Sequence, residues 1–256
     1  MRHLAATLLV TSIAFPALAD TVIQQKSDDG ENTTISIKGD WARLDSGGDS
    51  EYQLWNLKTG ELNVVMPEDR TIMVVNLRAK QSKKKQRPIK ATIKKSGKGP
   101  KIAGYATTEY TVTAAGKRCG KEYISSAAAK SPEIRRLVEN FASLAGLDDI
   151  MPGPMGAMAQ SMQDPCDLAS QSLGDQLPKL GMPLKSIDAS GRVETEVTSI
   201  DTHARLDAKR FELPAGYKRT TMKEMMGEAM KEMQQMMQNI PPEGQQLLQQ
   251  LFQKPQ

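Results

Sequence analysis

The sequence predicts an α+β fold, in which an antiparallel sheet is accompanied by two longer helices. Three observations support this prediction. Apolar and polar residues alternate along several short segments between residues 20 and 115, as they do in half-buried strands. Short turns that contain glycine separate these segments. Two later segments, which begin near Pro132 and Thr221, instead repeat their apolar residues with the period of a helix.

The chain begins with a segment typical of a secretory signal peptide. Arg2 provides a positive charge, the residues from Leu4 to Phe15 are mostly apolar, and Ala17-Leu18-Ala19 has the small residues of a cleavage site. The apolar stretch is too short to span a bilayer, and no cysteine follows it. We therefore expect cleavage after Ala19 and a periplasmic mature protein that starts at Asp20.

The strands are expected to form a meander with one solvent-facing side, because their connections are short. The turns fall at Asp28-Asp29-Gly30, at Lys58-Thr59-Gly60 and near Ala115-Gly116. The strand segments, in chain order, are Val22–Lys26, 32–38, "YQLWNL", "ELNVVM", "TIMVVNL", "IAGYATTEYTVTAAGKRCGKEYIS", "PLKSID" and "RVETEVTSID".

The first predicted helix has clear signals at both ends. Ser131 is a helix cap, Pro132 suits the first helical position, and Gly146 marks the end. Residues 147–180 are rich in Gly, Pro, Met and Gln and are expected to form loop with short helical pieces. The predicted organisation is a signal peptide at 1–19, a β domain at 20–218 with an inserted helix at 132–145, and a helical extension at 219–256.

The chain has two cysteines, Cys119 and Cys166, and both follow the signal segment. An even number of cysteines in an exported protein favours a disulfide. The alternatives are two free thiols or a thiolate metal site, but neither a second ligand pair nor a Cys-x-x-Cys spacing is present. The sequence therefore predicts a Cys119–Cys166 disulfide and no metal site of this kind.

Three short motifs resemble an exported bacterial family of unknown function that is similar in architecture to the periplasmic lipoprotein carriers, the LolA-like group. The motifs are "IAGYATTEYTV", "GMPLKSI" and "FELPAGYK", and the resemblance covers roughly residues 20 to 218. It implies a strongly curved antiparallel sheet, an incomplete β-barrel covered by helices, with a cavity that accepts acyl chains. The family often has a cysteine after the Gly-Tyr pair, where this chain has Ala106-Thr107, so its disulfide must be arranged differently.

The last helical segment is rich in methionine, with seven in the sixteen positions from Met222 to Met237. At 100° per residue they share one side of the helix. Thr221 and Glu224 have the spacing of a capping box. The methionines are Met222, Met225, Met226, Met230, Met233, Met236 and Met237.

Three interpretations of this stripe remain open. Methionine is an adaptable filler, so the stripe suits packing on the protein's own sheet. It equally suits a flexible apolar surface for a ligand or partner, and thioethers are also ligands for Cu(I). A second group with helical spacing, Met151, Met155, Met158 and Met162, favours the ligand interpretation. We therefore predict ligand contacts for the seven methionines above together with Met155, Met158 and Met162.

A basic stretch runs from Arg70 to Lys101, and no acidic residue lies between Asp69 and Glu109. It is either an exposed hairpin or loop with solvated lysines, or a contact for anionic lipid headgroups, for which each nearby cation contributes about 1 kcal/mol. Nucleic acid is not expected, because the stretch lacks aromatic residues for base stacking. The predicted headgroup contacts are Lys83, Lys84, Lys85, Arg87, Lys94 and Lys95.

Signatures of catalysis and of cofactors are sparse. His203 lies near Asp201 and Arg205, but no G-x-S-x-G nucleophile elbow accompanies them. Gly116-Lys117 lacks the first glycine and the Ser or Thr of a phosphate loop. We expect a non-catalytic periplasmic protein without a cofactor, which binds a hydrophobic or amphipathic ligand such as a lipid or acyl chain, or an envelope protein. The alternative is soft-metal (copper) binding through the methionine clusters.

Overall fold

The structure is a computed structural model of the chain. It describes residues 19–48, 50–76, 89–144, 164–166, 168–174 and 176–238, and for residues 170, 171, 233, 234 and 236–238 only the backbone. The signal segment up to residue 18, the methionine group at 151–162 and the basic residues at 83–87 lie outside these ranges.

The described residues form one sheet of twelve strands. Its order is β12-β6-β5-β4-β3-β2-β1-β11-β10-β9-β8-β7, so β12 and β7 are the two edges. Every neighbouring pair is antiparallel except β12 and β6, which are parallel. The strands are β1 (Asp20–Ser27), β2 (Asn32–Lys38), β3 (Trp41–Ser46), β4 (Tyr52–Asn56), β5 (Glu61–Met66), β6 (Thr71–Asn76), β7 (Ala91–Ile102), β8 (Tyr105–Ala114), β9 (Lys117–Ser125), β10 (Met182–Asp188), β11 (Val193–Ala204) and β12 (Lys218–Thr221).

The helices are few, and two of those described are very short. They are α1 (Pro132–Leu144), α2 (Ala169–Leu173), α3 (Leu177–Leu180) and α4 (Met222–Gln238), with 3₁₀ turns at Ala128–Lys130 and Ala208–Phe211. The predicted helix from Pro132 to Leu144 is thus confirmed, and α2 and α3 are the short helical pieces expected before residue 180. The predicted turn at Asp28-Asp29-Gly30 is also confirmed, with Gly30 at φ 89°.

The predicted fold class, an α+β incomplete barrel with covering helices, is wrong. The described residues instead form a single open, mixed sheet with few helices. Two features explain the difference. The edge strands β12 and β7 do not pair with each other, so the sheet does not close. In addition, α4 makes its main contacts with the edge strand β12 and its neighbour β6, and α1 is left as the long helix that packs on the sheet beside Trp55 and Leu57.

The core lies on the face of the sheet that α1 covers. A row of directly paired residues crosses five strands on this face, namely Ile37, Ala42, Trp55, Leu62 and Val75, all of them buried. The ring of Trp55 lies 4.8 Å from that of Phe141 on α1. Asn140 of the same helix donates a hydrogen bond from Nδ2 to the Leu57 carbonyl oxygen at 3.1 Å.

The opposite face of β3 is crossed by the segment that joins β11 to β12. Arg43 alternates with the core residue Ala42 and donates from Nη1 to the Arg210 carbonyl oxygen at 3.1 Å. The Arg210 guanidinium in turn lies 3.1 Å from Asp45, and Phe211 is buried. This crossing carries the chain from the middle of the sheet to β6, where β12 pairs in parallel and α4 begins.

The predicted disulfide is confirmed. Cys119 and Cys166 are bonded, with their Cα atoms 5.1 Å apart. The bond connects β9 to the turn that precedes α2, since the Cys166 carbonyl oxygen accepts a hydrogen bond from the Ala169 N–H at 3.0 Å. It therefore fastens α2 to the strands that end the sheet on the β7 side.

Candidate functional site

The methionine-rich helix α4 begins where β12 ends, through the predicted capping box. The Thr221 N–H donates to Glu224 Oε2 at 2.7 Å, and the Glu224 N–H donates to Thr221 Oγ1 at 3.3 Å. These hydrogen bonds, first of all the one from the Thr221 backbone, lower the pKa of the Glu224 carboxyl. The reciprocal bonds satisfy two N–H groups at the helix end and fix the start of α4 at the edge of the sheet.

The apolar side of α4 is only partly covered. Met222, Met225 and Met226 are partly buried, whereas Met230, one to two turns further on, is 57% exposed. Contacts of α4 with β12 and β6 account for the burial at its start. We call Met222, Met225, Met226 and Met230 the methionine stripe. Met233, Met236 and Met237 lie in the same helix, but their side chains are outside the described part.

A second row of partly buried apolar residues lies on the core face of the sheet and ends at the strand next to α4. Leu44, Val64 and Met73 lie on the core face of β3, β5 and β6, two residues along each strand from the row that contains Trp55, and they are partly buried. The polar Gln53 of β4 lies between Leu44 and Val64 in this second row. Met73 pairs with Thr220, the residue before the capping threonine. The partly buried apolar row therefore ends at β6, the strand that α4 also contacts.

Residues 91–101 of the basic stretch belong to β7, the opposite edge of the sheet. Lys94 and Lys95, two of the predicted headgroup contacts, are exposed on β7, together with Lys98 and Lys101. None of these four has an ion pair with another described residue. Lysines on an edge strand also discourage pairing with other sheets. We call these four residues the basic edge.

A cleft of about 320 Å³ lies between strands β8–β11 and the helices α2 and α3, beside the disulfide. Leu173 and Leu177 contribute apolar walls, and Glu122, Ser186 and Glu194 contribute polar groups. Burial first, and then the charge of Glu194, raise the pKa of the Glu122 carboxyl to about 7. No local sequence pattern predicts this cluster, because its residues come from three strands that only the strand register brings together.

The predicted neighbourhood of His203 does not bring a carboxylate to the imidazole. Asp201 Oδ1 accepts a hydrogen bond from the His203 backbone N–H at 2.8 Å, and the ring Nδ1 lies 3.2 Å from Thr202 Oγ1. His203 is exposed on β11. The Asp201 side chain therefore acts on the backbone and does not orient the ring.

The described residues show neither a metal-ligand cluster nor a membrane-spanning helix. No group of three or more histidine, cysteine or acidic side chains among them is arranged to hold a metal ion. In the same part of the chain, no helix combines the length and the apolar character needed to cross a membrane.

Comparison with known proteins finds no matching family model and no matching curated protein. Solved structures of MucB show a likeness, with a TM-score of 0.35 and 10% identity over 79% of this chain and 60% of that chain. A chain of the MucA/MucB complex from Pseudomonas aeruginosa gives 0.38 and 11%, covering 80% and 58%. A chain of MucB in complex with MucA(peri) gives 0.33 and 11%, covering 80% and 57%. This chain thus spans less than two thirds of each of these chains.

Proposed function

We propose that this protein is an exported, non-catalytic binding protein, which docks an envelope protein partner on the methionine stripe of α4. The observation that carries the proposal is the exposure of the stripe. Met230 is 57% exposed, and the three methionines before it are only partly covered. An amphipathic helix with an open apolar side is a common element of helix-in-groove recognition, and methionine adapts to partners of different shape.

Charged residues surround the stripe and suit a protein partner. Lys223, Glu228, Lys231 and Glu232 of α4 are exposed. Lys218 of β12 pairs with Glu228 of α4, with Nζ 3.1 Å from Oε1, and both side chains are exposed at the rim. An apolar centre with a charged rim of both signs is the usual composition of a protein interface.

The sequence also suggests an acyl chain as the ligand. The cleft beside the disulfide suits such a ligand less well than the methionine stripe suits a protein partner. That cleft contains two carboxyl groups, Glu122 and Glu194. An acyl chain in this cleft would lie against these polar groups and displace water from them, which is unfavourable. The cleft also lies near the β7 edge of the sheet, whereas α4 is at the β12 edge.

Site-specific photo-crosslinking in cells tests the proposed docking surface. A photoreactive residue at Met230 is expected to give one discrete protein adduct, because the apolar side of α4 faces the partner there. The matched control places the same residue at Lys231, which lies about 180° from Met222 on the helical wheel. An adduct with lipid mass, equal adducts at both positions, or none at either would contradict the proposal.

Methionine substitutions separate partner binding from copper binding. Replacing all four methionines of the stripe by leucine conserves volume and apolarity. We therefore expect the protein that crosslinks at Met230 to bind this variant with an affinity within a few-fold of wild type. The Met230→Glu variant is expected to bind about tenfold more weakly or worse, since a charge then replaces an apolar contact. Isothermal titration with the purified partner measures both. Stoichiometric Cu(I) binding that the leucine variant loses would favour the metal alternative.

We further propose that the basic edge contacts anionic lipid headgroups. Reversing Lys94 and Lys95 to glutamate is expected to weaken binding to vesicles containing anionic lipid by about tenfold or more, at about 1 kcal/mol for each lysine removed. The charge-matched control is Lys58→Glu/Lys209→Glu, because both of these lysines are exposed elsewhere. Vesicle co-sedimentation at low and high salt measures the change, and equal loss in both double variants would contradict a role for this edge.

A further inference from the structure

Three strands bring one hydroxyl between two carboxyl groups in the cleft. Ser186 of β10 lies opposite Glu122 of β9 in the strand register. Its Oγ is 2.9 Å from Glu122 Oε1 and 2.9 Å from Glu194 Oε2 of β11. Both separations are hydrogen-bond distances.

The number of protons decides whether both contacts are hydrogen bonds. A serine hydroxyl has one hydrogen, so it donates to one carboxylate and must accept from the other. Only a protonated carboxyl group can donate. The chain from Glu122 through Ser186 to Glu194 is therefore complete when the pair of carboxyl groups holds one proton, and one contact becomes repulsive when both are ionised.

Glu122 is the group that holds this proton. It is largely enclosed between the sheet and the helices, whereas Glu194 is exposed. Burial disfavours the charged form of a carboxyl group, and the neighbouring charge of Glu194 acts in the same direction. Together these effects outweigh the hydrogen bond from Ser186, which lowers the pKa of Glu122, and they raise this pKa to about 7 from an ordinary value of 4.5.

The cations on the neighbouring strands are engaged by other carboxylates. Lys121 Nζ lies 2.9 Å from Glu109 Oε1 on β8. Lys185 Nζ lies 2.9 Å from Glu196 Oε2 on β11. Neither lysine forms an ion pair with Glu122 among the described residues.

The other elements around the cleft add little charge. Tyr110 of β8 pairs with Glu122 in the register. Helix α2 has no ionisable residue, and α3 has Lys179. Beside the disulfide, Lys117 Nζ is 2.6 Å from Asp164 Oδ2. Glu194 is therefore the charged group that acts on the enclosed carboxyl.

We propose that Glu122, Ser186 and Glu194 form a pH-sensitive latch, which ties β9, β10 and β11 together while it holds one proton and loosens the cleft when that proton is lost. Between pH 4.5 and about 7, the Glu122 carboxyl binds its proton more strongly in the native state than in the unfolded chain. The stabilisation is therefore fully present at the acid end of this window and is lost as the pH rises through about 7. The strands beneath α2 and α3 are expected to open more readily above that pH.

Carboxyl NMR titration and amide hydrogen exchange on the full chain test the latch. All measurements use a His203→Gln background, because histidines change charge in the same pH range. We expect Glu122 to titrate near pH 7, and the protection factors of β10 and β11 amides to fall by about tenfold or more from pH 5.5 to pH 8. The near-isosteric Glu122→Gln variant is expected to remove this pH dependence.

Two further variants distinguish the latch from a general effect of charge. Glu194→Gln removes the neighbouring charge and is expected to lower the titration midpoint of Glu122. Glu196→Gln, on the same strand but paired with Lys185, is expected to leave that midpoint and the exchange transition unchanged. Titration of Glu122 near 4.5, or a transition that persists in Glu122→Gln, would overturn the proposal. If Glu122→Gln does not fold, the titration midpoints of Glu122 in the wild type and in Glu194→Gln still test the latch. A wild-type midpoint near 7 that Glu194→Gln lowers supports it, and an unchanged midpoint contradicts it.

Discussion

Replacing Cys119 and Cys166 by serine is expected to lower the free energy of unfolding by about 4 kcal/mol. The two cysteines are 47 residues apart in the sequence, and the chain-entropy model assigns about 4 kcal/mol to closing a loop of that length. The stabilisation acts mainly on the unfolded chain, which has more conformational freedom without the bond. Urea denaturation of the oxidised wild type and of the double serine variant measures the difference.

The structure also predicts where the loss appears first. The disulfide fastens the turn before α2 to β9, while α2 itself packs on β7 and β8. We therefore expect faster hydrogen exchange around α2 and β9 in the serine variant, with β2 to β5 affected only through global stability. Reduced wild type is the matched control and should reproduce the variant. A difference below about 1 kcal/mol would show that native strain offsets the entropy, as occurs for some disulfides.

The elements that local patterns specify were predictable from the sequence. Strand β2 alternates Thr33, Ile35 and Ile37 with polar residues, and its inward side chains pair with β1 and β3. Helix α1 has a proline at its first position, and Ile134 and Leu137 on its apolar side are buried. In α1 the periodicity indicates both the secondary structure and the buried side. In β2 it indicates the strand and the core-facing isoleucines, but not the burial of Ser36 on the other face.

The arrangement of those elements was not predictable, because it depends on distant contacts. Strand β12 has the sequence KRTT, which has no apolar alternation. Its parallel pairing with β6 follows from the crossing segment, which Phe211 and Arg210 anchor on the opposite face. With this extra strand at one edge and β7 at the other, the sheet stays open. A resemblance that implied an incomplete barrel with covering helices could not supply that information.

The candidate sites divide in the same way. The capping box and the single apolar side of α4 were predictable, since both depend on residues three or four positions apart. The exposure of Met230 was not, because the periodicity of a helix does not show what lies opposite it. The cluster of Glu122, Ser186 and Glu194 has no local signature at all, as its members come from three strands.

The Trp55→Ala variant is expected to lose about 3–5 kcal/mol of stability, the usual cost of removing a large buried aromatic side chain. Trp55 is 1% exposed and lies at the middle of the row that crosses β2 to β6. Its ring is 4.8 Å from Phe141, and its Nε1–H donates to Gln53 Oε1 at 3.2 Å. Its removal leaves a cavity between the sheet and α1, which thermal or urea denaturation detects.

The matched comparison is Phe141→Ala, which removes the other ring of the same pair. Phe141 is 36% exposed, so part of its surface is already in water and the expected loss is smaller than that of Trp55→Ala. Equal losses would mean that the aromatic contact, and not burial in the row, dominates. Because α4 makes its main contacts with β12 and β6 at the sheet edge, both variants are expected to keep the Met230 crosslink below their unfolding transitions. Loss of that adduct from the folded Trp55→Ala protein would instead show that α1 and the core row contribute to the docking surface, which would then extend from α4 across the partly buried residues Leu44, Val64 and Met73.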